Sequence, residues 1–216
     1  MARLPAGRID RCPVPRRARP GSSSPLPLPL PLLLLLLLPV LLLAGCGNAR
    51  TLVPDPTQPV APTGFRTLTL AQAGVRMSAP RNWTVSGAGP PLVVTLESGT
   101  AVVALWRYPR AAPAPAGRLG LVGARRALVA AVRRRDPSMR LLGSSLATFG
   151  DVSVIVLSAL ERIGGHPRRV SSTHIYLRGA ELVLDEYAPP AQFPSLERTV
   201  FARLRRSLAL LPAGGP

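Results

Sequence analysis

The spacing of apolar positions along this chain changes several times, and each period predicts an element. Phe65 to Leu70 and Val75 to Ala79 alternate apolar with polar residues around Ala71-Gln72-Ala73-Gly74, the pattern of a β-hairpin. Pro80-Arg81-Asn82-Trp83 then turns the chain. Leu92 to Leu96 and Ala101 to Tyr108 are apolar on both alternating faces, as in strands covered on both sides, and Glu97-Ser98-Gly99-Thr100 joins them. After a Pro/Ala loop over 111–117, Leu121, Ala124, Leu128 and Val132 recur at helical spacing, with Arg118, Arg126 and Arg133 towards a solvated side. Asp136-Pro137 ends this helix, and Arg133-Arg134-Arg135 suits the negative end of its dipole. Further strands are predicted over about Arg140 to Phe149, Val152 to Arg162, Arg168 to Leu177 and Glu181 to Tyr187, with turns at Gly164-Gly165 and Arg178-Gly179. Val152 to Leu160, apolar on both faces, is expected centrally in the sheet. Beyond Pro189-Pro190, Val200, Leu204, Leu208 and Leu211 make a second helical stripe, with Ser195 as its expected cap, Glu197 in its first turn, and Arg198, Arg205 and Arg206 off the stripe. The class is therefore α+β, a mostly antiparallel sheet with helices packed on it.

Upstream the pattern is of another kind. Pro25 to Cys46 is an apolar run, preceded by Arg3, Arg8, Arg11, Arg16, Arg17 and Arg19 with only Asp10 opposing them, as in a secretory signal. Its length of about 20 apolar residues would also suit an uncleaved membrane span. Pro27, Pro29, Pro31 and Pro39 disfavour a continuous helix there, leaving roughly a dozen helical residues, which fits a signal core better. Leu43-Ala44-Gly45-Cys46 resembles the lipobox of bacterial lipoproteins. The resemblance implies signal-peptidase recognition of Leu43, Ala44 and Gly45, cleavage before Cys46, and lipid attachment at the Cys46 sulfur. Residues 47–64 carry Pro54, Pro56, Pro59 and Pro62, the composition of a semi-rigid tether. The expected organisation is signal peptide 1–45, lipid anchor and Pro-rich tether 46–64, one globular domain 65–212, and a disordered tail 213–216.

Composition adds partners and compartment. The chain has 27 basic residues, all arginine, against ten acidic ones. Without the arginines and aspartate of the leader, the remainder carries about +12. Outside the cytoplasm such charge suits anionic lipid or acidic wall polymers; export and a low aromatic content argue against nucleic acid. The two cysteines are Cys12, in the leader, and Cys46, so the domain has no internal disulfide.

Candidate chemistry is sparse. Ser172, His174, Tyr176 and Arg178 share a strand face, making His174, Tyr176 and Arg178 the candidate polar site; an exposed polar face or a hydrogen-bonded histidine is the plainer account. No thiolate or neighbouring histidine completes a metal site, and no cofactor motif is present. Asp185 and Glu186 are adjacent on a strand and point to opposite faces, while Glu181 and Asp185 share a face about 13 Å apart; surface charge accounts for them. Gly74-Val75-Arg76-Met77-Ser78-Ala79-Pro80-Arg81-Asn82-Trp83 and the helix Val200-Phe201-Ala202-Arg203-Leu204-Arg205-Arg206-Ser207-Leu208 resemble the opening and closing segments of PsbP-like domains, including LpqN-type envelope lipoproteins. That resemblance implies an α/β/α sandwich and a non-enzymatic accessory or binding role. The expected function is a membrane-anchored envelope module. A carrier of an apolar envelope ligand and a hydrolase of wall or lipid components are the alternatives, and a clustered, buried Glu181, Asp185 and His174 in a pocket would favour the last.

Overall fold

The computed structural model describes residues 55–212. The expected signal peptide, with Leu43, Ala44, Gly45 and Cys46, most of the expected tether and the tail 213–216 lie outside the described residues.

The elements are β1 (Phe65–Leu70), β2 (Val75–Pro80), β3 (Thr84–Gly87), β4 (Leu92–Ser98), β5 (Ala101–Pro109), α1 (Gly117–Arg135), β6 (Arg140–Phe149), β7 (Val152–Ile163), β8 (His166–Leu177), β9 (Ala180–Ala188), α2 (Phe193–Leu196), a π-helical turn (Glu197–Phe201), α3 (Ala202–Arg206) and β10 (Ala209–Leu210). Seven strands form one antiparallel sheet in the order β3-β4-β5-β9-β8-β7-β6, and β1-β2-β10 form a second, small sheet. β9, not β7, is thus the central strand. β7 nevertheless reads apolar on both sides because Val154 faces the core beneath α2 and α3 while Ile155 and Leu157 face α1.

The sheet is covered on both faces. On one, Val94, Leu96, Val103, Leu105, Leu182 and Leu184 meet Val75 and Met77 of β2 and Phe193, Val200, Phe201 and Leu204 of the C-terminal helical segment. On the other, Leu121, Ala124, Leu128 and Val132 of α1 pack on Ile155, Leu157 and Leu141. Burial of this apolar surface is the main driving force for the fold. The result is the expected antiparallel α/β/α sandwich.

Three local expectations change. β3 forms directly after the predicted turn 80–83, where no element was predicted, and pairs Val85 with Leu96. The C-terminal helical segment begins at Phe193 after Gln192 rather than at a Ser195 cap, and it ends at Arg206, so Leu208 is buried beyond its end. The last part of the expected tether, residues 55–64, lies against the domain. Thr100 N–H donates to Thr57 O at 2.9 Å, Val60 N–H to Ser98 Oγ at 2.8 Å, Asn82 Nδ2 to Ala61 O at 2.8 Å, and Trp83 Nε1 to Val60 O at 3.3 Å. The partners lie 21 to 43 residues away in the chain, so the local proline spacing carries no sign of them.

Candidate functional site

Alternation on β9 sends Glu181, Val183, Asp185 and Tyr187 towards α1, and Leu182, Leu184 and Glu186 towards the opposite core. The β8–β9 register sets Ser172 opposite Asp185, His174 opposite Val183 and Tyr176 opposite Glu181. Between α1 and this face is a cavity of about 340 Å³. Leu128, Val132, Leu141 and Leu157 give it apolar walls, and Ser172, His174, Glu181, Asp185 and Tyr187 line it on the sheet side.

These polar groups form one hydrogen-bonded chain. Tyr187 OH donates to Asp185 Oδ2 at 2.9 Å, and Ser172 Oγ donates to Asp185 Oδ1 at 2.5 Å. His174 Nε2 lies 3.2 Å from Ser172 Oγ, and His174 Nδ1 lies 2.8 Å from Glu181 Oε1. With its proton given to Asp185, Ser172 Oγ keeps its lone pairs free on the side of His174. Arg110 Nη1 stands 3.5 Å from Glu181 Oε2, and its guanidinium lies 4.9 Å from the Tyr176 ring centre.

Charge at the mouth follows from burial. The Glu161 carboxylate makes no hydrogen bond or ion pair among the described residues; burial raises its pKa, and the negative Asp185 and Asp136 raise it further against the pull of Arg135. Burial, then Asp185, raises the Tyr108 and Tyr187 hydroxyls in the same way. Tyr176 is pushed up to about 12, first by burial and then by Glu181.

The residues predicted from sequence are divided by this geometry. His174 is at the centre of the chain, as one buried member of a network. Tyr176 lines a neighbouring cavity of about 550 Å³ at the start of α1, with the Arg110 guanidinium over its ring. Arg178 is exposed in the β8–β9 turn and lines neither cavity, so Arg110 from the end of β5 supplies the guanidinium instead. Glu181 and Asp185, expected as surface charge, are joined through His174 and Ser172. Glu186, also read as surface charge, is fully buried on the opposite face, held by Arg205, which also pairs with Glu197. Burial raises Glu186 to about 8 despite Arg205. Arg205 was expected to be solvated. The π-helical turn carries Glu197 at its start and precedes α3, where Arg205 points inwards.

No protein-family model and no curated protein matches the chain. Among solved structures, the chain resembles the cyanobacterial PsbP (CyanoP) from Synechocystis sp. PCC 6803, with a TM-score of 0.51 and 12% identity over 72% of this chain and 99% of that one. The fold is accordingly PsbP-like. Weaker likenesses are to LpqN, involved in cell envelope biogenesis of Mycobacterium tuberculosis, at TM-score 0.40 and 20% identity over 74% of this chain and 87% of that one, and to a Pseudomonas aeruginosa protein of unknown function, PA94, at TM-score 0.44 and 15% identity over 69% and 99%. Among the described residues, no helix is long and apolar enough to cross a membrane, and no group of three or more His, Cys, Asp or Glu side chains is placed to hold a metal ion.

Proposed function

We propose that this protein is an extracytoplasmic lipoprotein, anchored to the cell membrane through Cys46, whose domain is a non-catalytic binding module of the envelope. The observation that carries the binding role is the cavity between α1 and the sheet. It has the size and the lining of a ligand site, apolar walls with a few convergent polar groups. Anchoring rests on the lipobox-like Leu43-Ala44-Gly45-Cys46, and the basic surface adds attraction to anionic lipid or acidic wall polymers. Native mass spectrometry of the full chain extracted from its membranes tests the binding role. The expected result is a bound small molecule that is lost when Val132→Phe crowds the cavity; a chain that carries nothing would refute it.

One observation favours a hydrolytic reading. Ser172, His174 and Glu181 are connected in the order of a nucleophile, base and orienting acid. Against it, the Ser172 hydroxyl gives its proton to Asp185, whose carboxylate would oppose negative charge developing beside Oγ. Ester hydrolysis abolished by Ser172→Ala would establish this reading in place of the binding one.

A further inference from the structure

α1 packs on β6 and β7 and roofs only part of its face of the seven-stranded sheet. Beyond it lies a second cavity of about 490 Å³, lined by strand and turn residues that include Val102, Ala104, Trp106 and Ile163. It shares Glu161 and Tyr187 with the cavity beneath α1. The two compartments have different chemistry. The one under the helix holds the hydrogen-bonded chain through His174 and Asp185, while the outer one has Val102, Ala104, Trp106 and Ile163 as its apolar wall, with Arg168 and the shared Glu161 as its charged groups.

The docked segment 55–64 places this outer compartment relative to the anchor. Gly99 and Thr100 line its rim, and Thr57 is bonded to Thr100 there. Asp55 follows Cys46 by nine residues, a reach of at most about 30 Å even when fully extended.

We infer that the two cavities form one site for an amphiphile drawn from the membrane to which the chain is tethered. The head group lies under α1 and presents N–H or O–H donors to Asp185 and to Glu161, whose carboxylate is without a partner among the described residues. The aliphatic chain lies along Val102, Ala104, Trp106 and Ile163. This rests on the binding reading and on the lipid anchor at Cys46.

The test uses the full chain reconstituted in vesicles of phosphatidylethanolamine and phosphatidylglycerol with brominated acyl chains, since bromine quenches an indole only on close approach. Trp106 lines the outer compartment, whereas Trp83 is buried in the opposite core. The expected result is loss of about half the emission, one tryptophan of two, relative to unbrominated vesicles. Trp106→Phe should leave Trp83 emission unquenched, and Ala104→Leu, which fills the compartment, should abolish quenching of Trp106. Absent quenching, equal fractional quenching in Trp106→Phe, or quenching that survives Ala104→Leu would overturn the inference. A bound molecule in native mass spectra together with an unquenched Trp106 would refute the outer compartment alone; a chain with no bound molecule would refute the binding reading as well.

Discussion

Arg205→Met isolates the interaction that holds the C-terminal helical segment to the central strand. Glu186 is fully buried, and Arg205 bonds both to it and to Glu197, with its side chain only 10% exposed. Methionine keeps most of the packing volume but leaves Glu186 with no positive partner. Breaking a buried pair in this way costs on the order of 3–5 kcal/mol, because a charge stays uncompensated in the interior. The Glu197 contribution is discounted, since that side chain is 35% exposed and screened by solvent. The cost should depend on pH. The Glu186 folded value of about 8 lies above the ordinary 4.5, so the stability linked to it is complete below about pH 4.5 and is lost as pH rises through about 8. Removing Arg205, which lowers that value, should deepen the loss at alkaline pH. At about pH 5 a protonated Glu186 avoids charge burial, and the cost should shrink to roughly 1–2 kcal/mol of lost hydrogen bonds. Urea unfolding followed by tryptophan emission at both ends of this range measures it. Glu186→Gln combined with Arg205→Met should recover to within about 1 kcal/mol of the parent. A single-variant cost below about 1 kcal/mol at alkaline pH, or one equal at both pH values, would refute the reasoning.

Three further outcomes follow from named contacts. Gly99→Ala should cost roughly 1–3 kcal/mol and release residues 55–64, seen as faster amide exchange there, because Gly99 has φ +53° and a Cβ would lie 2.5 Å from Thr57 O; unchanged exchange would contradict the docking. The Glu161 carboxyl should titrate above the usual glutamate range by carbon-detected NMR, so its linked stability is lost as pH rises through that raised value, and Glu161→Gln should remove this part of the pH dependence. Cys46→Ser should release the domain from membranes or block processing; an unchanged lipid label on the variant would disprove lipidation at that thiol.

Much of this architecture was legible because burial imposes period on sequence. The stripe Leu121, Ala124, Leu128, Val132 names the face of α1 that meets the sheet, and the alternation of Glu181, Val183, Asp185 and Tyr187 names the face of β9 on the side of α1. β3 was not legible because Thr84–Gly87 is a short edge strand with three of its four residues exposed, so no face is marked by apolar residues. The His174 network was only half legible. Strand alternation groups Ser172 with His174 and Glu181 with Asp185, but the register that sets Ser172 opposite Asp185 is a cross-strand property. Four residues of separation along one strand therefore made Glu181 and Asp185 look independent, while two residues of the next strand connect them. Glu186 did carry a signal. It shares its face with Leu182, Leu184 and Ala188, all buried, and a carboxylate on such a face requires a partner. Arg205, at the edge of the stripe of Val200 and Leu204, is that partner, and the π-helical turn before it alters the residue count by which an α-helical stripe is judged.

The proposed binding role depends on the space beneath α1 being occupied in the cell. A crystal structure of the chain purified from its own membranes should show a small molecule there, its polar end within hydrogen-bonding distance of Ser172, His174, Asp185 or Glu161. Ordered water alone in that space, or α1 closed onto β8 and β9 with Leu128 and Val132 filling it, would contradict the account.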